Sequence, residues 1–306
     1  MSNEGERTAR DTGSDAAALA GGSGIVLVGG VIDRGLRWVL KWGLSHILGP
    51  AGLGLFELAQ KIGSTITSFS PLGLDTGVIY FAARQRKGGE TGSLKGTLVA
   101  GGALSVGVGV LAGLALFALA PQLADEPDAR TALRVMAPVV MVWTPLLFIV
   151  GALRAVKDMR RSVLAFQVVL PLVLVAGTAV LVGLLGTGVP GAVAAMGGAT
   201  LVALVLACRF AWHHYGDVLS DPAIRPRFAV AELLRFSVPQ SLTAAAFRLN
   251  LYMDVLMLGL LASRADVGIY AIAASLASFG SVPANAVVSM FNPFIAELVH
   301  SGERAR

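Results

Sequence analysis

The chain has 306 residues, of which 55% are apolar and only 14% charged, and its mean hydropathy is +0.72. Soluble domains carry about a quarter charged residues, so this composition excludes an ordinary soluble globular protein and points to helices in lipid. The formal charge of +5 is concentrated in alternate loops, which ties it to membrane topology rather than to a nucleic-acid surface.

Residues 1–20 are polar, mixed in charge and rich in Ala, Gly and Ser. They lack the basic and apolar regions of a cleavable signal peptide and are expected to form a disordered cytoplasmic tail. About 20 apolar residues cross the roughly 30 Å hydrocarbon layer as a helix. Eight stretches qualify, near 22–47, 53–83, 95–120, 132–153, 162–186, 190–210, 236–262 and 267–298. Segments this long exclude a β-barrel, so the expected fold is all-α, a polytopic membrane helical bundle of eight spans. The basic loops 84–95, 154–161 and 209–235 each hold four Lys or Arg residues, whereas 48–52 and 187–189 hold none. By the positive-inside rule the basic loops and both termini face the cytoplasm. Cys208 is the single cysteine, so no intramolecular disulfide is available.

Sliding the sequence against itself by 214 residues places Arg34 on Arg248, Leu44 on Leu258, Ala51 on Ala265, Gly54 on Gly268, Ala59 on Ala273 and Ser64 on Ser278. The seventh span thus resembles a return to the first. The organisation expected is a six-helix lobe over 21–212, an inter-lobe loop over 213–235 with Pro222 and Pro226, and the first two helices of a second lobe over 236–306.

Charges inside the spans are the candidate chemistry, because each costs about 2.5–3.5 kcal/mol at a helix centre on insertion scales. Span one carries Asp33, Arg34, Arg37 and Lys41. Arg34, Arg37 and Lys41 fall within about 60° of one another on a helical wheel, and Asp33 can pair with Arg37 one turn away. Span seven adds Arg248 at the repeat position of Arg34. If the lobes face each other, Arg34, Arg37, Lys41 and Arg248 converge on a central cavity suited to an anionic headgroup, since guanidinium forks match phosphate oxygens. Glu57 and Lys61, four residues apart, are expected to form an intrahelical ion pair. Asp75 has Arg84 and Arg86 as candidate partners. Asp254 has no local partner and is a candidate for pairing with Lys41 or for binding H⁺ or Na⁺. No nucleotide loop, nucleophile elbow, metal cluster or cofactor motif is present, and nothing suggests catalysis.

The stretches Leu48-Gly49-Pro50-Ala51-Gly52-Leu53-Gly54-Leu55-Phe56 and Phe236-Ser237-Val238-Pro239-Gln240, followed by Arg248, Asp254 and Val267-Gly268-Ile269-Tyr270-Ala271-Ile272-Ala273, resemble the polysaccharide exporters. These are Wzx-type oligosaccharide flippases of the superfamily that includes the multidrug and toxin extrusion (MATE) transporters. The resemblance runs from residue 21 to about 303. It implies two six-helix lobes alternating around a cationic cavity, and movement of an undecaprenyl-pyrophosphate-linked sugar across the cytoplasmic membrane. It also implies pyrophosphate recognition by Arg34, Arg37 and Arg248, and polysaccharide assembly proteins as partners. Relatives have twelve to fourteen spans, so a chain of eight is expected to be a truncated form or part of an oligomer. The alternatives are a MATE-type drug/ion antiporter, for which acidic cavity residues would dominate, and a non-transporting membrane scaffold or remnant.

Overall fold

The computed structural model describes residues 2–280, with side chains from Gly24 onward, Phe279 excepted. Helix α1 (Ser2–Phe69) takes in most of the segment expected as a tail and is interrupted at Gly49, where φ is 71° and ψ 175°. The interruption follows from sequence. Pro50 disfavours helical geometry at the residue before it, and only glycine enters the left-handed region without penalty. The break is a reversal. Lys41 and Glu57 form an ion pair at 2.9 Å, although sixteen helical residues rise about 24 Å along a straight axis. The two arms of α1 therefore fold back on each other as a hairpin and correspond to the first two spans.

The second expected span does not run unbroken to residue 83. The helix stops at Phe69, a turn over 70–73 holds Leu72 at φ 47° and Gly73 at φ 71°, and α2 (Leu74–Lys87) restarts beyond it. Pro71, which lacks an N–H, explains the stop. Helices α3 (Thr91–Leu123) and α4 (Pro127–Ala155) follow. The fifth span, Met159–Leu184, is composite. Helices α5 (Met159–Val163) and α6 (Leu170–Thr178) are joined by a π-helical stretch at Leu164–Val169, and a second such stretch occupies Ala179–Leu184. The first widening lies just before Pro171 and shifts the hydrogen-bond register where the proline has none to give. Then come α7 (Gly188–Ser220), α8 (Val230–Leu261) and α9 (Arg264–Phe279). The distal part of the eighth expected span lies outside the described residues. The described chain is a helical membrane bundle in which five helices are each long and apolar enough to cross a bilayer.

Helix α4 is central: 61% of its most apolar stretch is buried, against 11% for α8, which leans on the side of the bundle. One core gathers Leu44, Leu53 and Phe56 of α1 with Met136 of α4, Leu174 of α6 and Met196 of α7. A second, toward the basic loops, joins Leu74 and Phe81 of α2, Phe148 and Leu153 of α4, and Tyr215 of α7, whose hydroxyl donates to the Ala152 carbonyl at 2.8 Å. In lipid such cores are held by close packing rather than by expulsion of water.

Helices α8 and α9 pack on α1, α2 and α3, and some of these contacts are made through glycines. Near the basic loops, Ser237 in α8 sets its backbone against Gly73 and its side chain against Gly77, and Phe236 stacks on Tyr80 with ring centroids 4.7 Å apart. At the other end α9 crosses the second arm of α1 with no side chain between them. A Cβ at Gly54 would collide with the Arg264 carbonyl, and a Cβ at Gly268 would collide with the Pro50 carbonyl. The contact is reciprocal under the repeat, because the 214-residue offset carries Pro50 onto Arg264 and Gly54 onto Gly268. Arg264 also forms an ion pair with Glu126, in the turn before α4.

Candidate functional site

The charged residues of the first, second and seventh spans are half-buried, apart from Glu57, which is buried, and Asp254, which is exposed. Asp33 and Arg37 pair as the one-turn spacing predicts: Arg37 Nε donates to the two carboxylate oxygens at 2.9 and 3.0 Å. The expected Glu57–Lys61 ion pair is not formed. Glu57 faces Lys41 instead, across the α1 hairpin, and Lys61 places its ammonium 4.7 Å from the centroid of the Tyr252 ring on α8. The turn at Gly49 sets Lys41 across from Glu57, and the Lys61 side chain turns toward α8 instead. Lys61 has Glu57, Lys41, Asp254 and Arg37 as its electrostatic neighbours. These five residues therefore form one cluster spanning both arms of α1 and α8, with Asp33 attached through Arg37.

Asp254 has a partner that its neighbours along the helix do not reveal. Tyr270 of α9 donates its hydroxyl to one carboxylate oxygen at 2.5 Å, and the Val255 amide donates to the other at 2.8 Å. It pairs with Tyr270, not with Lys41. Nor does Asp75 pair with Arg84 or Arg86. Arg84 lies 3.9 Å from Glu232 at the start of α8, while Asp75 is an electrostatic neighbour of Arg154.

Hairpin geometry places both cross-helix pairs. Lys41 and Glu57 lie eight residues on either side of Gly49, and Asp254 and Tyr270 lie eight on either side of Ala262, so each pair sits at one height in its hairpin. Under the 214-residue offset Leu40 falls on Asp254 and Phe56 on Tyr270. The second hairpin thus carries its polar pair one position away from that of the first.

The cations are sorted by this arrangement. Arg37 and Lys41 are each held by a carboxylate, whereas Arg34 and Arg248 make no hydrogen bond, ion pair or ring contact among the described residues. The sequence-predicted residues thus number five cations (Arg34, Arg37, Lys41, Lys61, Arg248) and three carboxylates (Asp33, Glu57, Asp254), and ion pairs and electrostatic contacts join all of them but Arg34 and Arg248 into the cluster. Sequence reasoning missed Tyr252 and Tyr270, which only the packing of α8 and α9 brings in. A groove of about 820 Å³ lies elsewhere, between the second arm of α1, α8 and the turn before α4, with Asp125, Glu126 and Arg264 among its lining residues.

A separate charged group ties the fifth span to α7 at the end of the basic loops. Asp158 caps α5 by accepting from the Arg161 amide at 3.1 Å, and His214 Nε2 lies 2.7 Å from its other oxygen. Burial pushes the Asp158 carboxyl up, but the His214 and Arg161 hydrogen bonds and the Arg161 charge outweigh it and hold its pKa below the usual carboxylate value.

The sequence model of the family described as polysaccharide biosynthesis protein matches residues 19–299. No curated protein matches the chain. Among solved structures, an inward-facing multidrug resistance MATE family transporter of the MOP superfamily superposes with a TM-score of 0.66 at 19% identity, covering 84% of this chain and 59% of that one. The MATE multidrug transporter DinF-BH gives 0.70 at 17% identity, covering 91% and 64%. A MOP superfamily transporter from Pyrococcus furiosus gives 0.64 at 18%, covering 92% and 70%. The fold is therefore MATE-like, and the chain spans about three fifths of the length of the first two structures.

Proposed function

Because the chain belongs to the polysaccharide biosynthesis protein family, that of the Wzx-type flippases, we propose that it carries a lipid-linked oligosaccharide, of the undecaprenyl-diphosphate type, across the cytoplasmic membrane. Access would alternate between two lobes, one built by α1–α7 and one begun by α8 and α9, and both termini would be cytoplasmic. The observation that carries this reading is the state of Arg34 and Arg248. They occupy equivalent positions in the repeat, each is half-buried, and neither has a counter-ion among the described residues. A guanidinium left bare at membrane depth is costly unless an anion completes it. Two bare guanidinium groups suit a diphosphate diester, which carries two negative charges. Arg37 and Lys41 join as supporting cations whose own carboxylates hold them in place. Asp254, bonded to Tyr270, is the candidate for H⁺ or Na⁺ coupling, and polysaccharide assembly proteins are the expected partners.

The test is complementation of a flippase-deficient strain by the gene encoding this chain. Arg34→Ala and Arg248→Ala should each lower export at least tenfold without loss of membrane insertion, and Lys at either position should recover little because the bidentate fork is lost. Normal export by both Ala variants would remove the reading. The alternative, drug/ion antiport, has the exposed Asp254 carboxylate in its favour. It predicts instead that Asp254→Asn abolishes efflux of a cationic dye while Arg34→Ala leaves it unchanged.

A further inference from the structure

We infer that Glu57 is an internal competitor of the substrate: a positioning residue that shares Lys41 with the substrate's diphosphate and so sets how quickly the substrate leaves. This rests on the diphosphate reading above. The Glu57 side chain is 1% exposed, and among the described residues neither of its oxygens accepts a hydrogen bond. Buried carboxylates ordinarily gather several N–H or O–H donors, because one left without them is expensive. Among the described residues Glu57 has one ion pair, to Lys41 at 2.9 Å, with the Lys61 charge as a more distant electrostatic neighbour. Lys61, one turn along the same helix, is turned onto the Tyr252 ring instead.

Lys41 differs from its partner in being accessible, with 18% of its side chain exposed. An ammonium carries three donors, so one can face Glu57 while others accept a phosphate oxygen. Once an anion arrives there, Lys41 serves two negative groups and Glu57 repels the newcomer at close range in a medium of low dielectric. A carboxylate present only to clamp the hairpin would be better placed among donors. One whose direct ion pair is shared weakens the complex, and a carrier must release what it binds as readily as it takes it up. Glu57 and Asp33 then have different parts to play, since Asp33 binds Arg37 through two hydrogen bonds and only Glu57 stands poorly bonded behind its cation.

The experiment measures binding and dissociation of undecaprenyl diphosphate by the full chain in lipid nanodiscs. Glu57→Gln, which keeps the shape and removes the charge, should tighten binding about tenfold, mostly through slower dissociation. Glu57→Asp withdraws the carboxylate by one methylene and should give an intermediate gain. In Lys41→Gln/Glu57→Gln the gain should vanish, because it runs through Lys41. Measurable wild-type binding that Glu57→Gln and Glu57→Asp leave unchanged or weaken would overturn the inference and make Glu57 a clamp of the hairpin. Absence of binding in wild type and all variants, each folded and monodisperse, would overturn the diphosphate reading itself.

Discussion

At the scale of single residues, what distinguishes the charged side chains of this bundle is how each is partnered. Asp33 and Arg37 satisfy each other within one turn, Lys41 and Glu57 across a hairpin, Asp254 through a tyrosine, and Arg34 and Arg248 not at all among the described residues. Asp158 stands apart, because its partnership is with loop and helix end rather than with the cluster. Its depressed pKa means that its contribution to stability is complete above the unfolded value, near 3.9, and is lost as pH falls through the lower folded value. Asp158→Asn can still cap α5 but loses the charge facing Arg161 and His214, and should therefore destabilise the chain by about 1 kcal/mol at pH 7. The difference from wild type should shrink below about pH 4. Thermal unfolding in detergent at pH 7 and pH 3.5 measures both, and a difference that persists undiminished at the lower pH contradicts the assignment.

At the scale of elements, the closest helix contacts are made by glycines whose replacement has predictable consequences. Gly268→Leu drives a side chain into the Pro50 carbonyl and should part α9 from α1, with an overpacking cost of about 1–3 kcal/mol or more. Gly107→Leu, on α3 with nothing within 4 Å of its Cβ position, should be tolerated. Cysteines at Glu126 and Arg264, in a Cys208→Ser background, should cross-link in wild type and with Gly107→Leu but poorly with Gly268→Leu. The contrast also marks what was legible in sequence. Within the described residues apolar length located the spans, the interruption of the second excepted, and the one-turn pair Asp33–Arg37 followed from helical periodicity. The partner of Glu57 did not follow, because a wheel drawn on one helix cannot see across the reversal at Gly49. Counting outward from Gly49 in both directions would have found it, and the same count about Ala262 leads to Tyr270. The break at 70–73 was signalled by Pro71, but a proline alone does not separate a kink from a full interruption. Tyr252 was out of reach, since its contact with Lys61 depends on how α8 leans on α1.

At the scale of the whole molecule, the alternation of basic and neutral loops predicts which end of the bundle meets the cytoplasm. Single cysteines at Glu90, Asp125, Arg160 and Ala262 in a Cys208→Ser background sample both ends. Ala262 is a better position than Ser263, whose hydroxyl caps α9 by accepting from the Asp266 amide at 3.2 Å. Only cysteines at 125 and 262 should react with an impermeant maleimide in intact cells, and labelling at 90 or 160 reverses the orientation. The ion pair between Glu126 and Arg264 would then lie on the outer face.

The crossing of α1 and α9 has a bearing on ancestry. Pro50 meets Gly268, Gly54 meets Arg264, and Gly54 meets Gly268, so each position touches the duplicate of the position that touches it. That is the signature of an isologous interface, the kind two identical subunits form about a two-fold axis. A single-hairpin or six-helix ancestor carrying Gly54 would have met a second copy of itself through this same patch. Fusion of two such copies would join chains already in register, without a new contact between them.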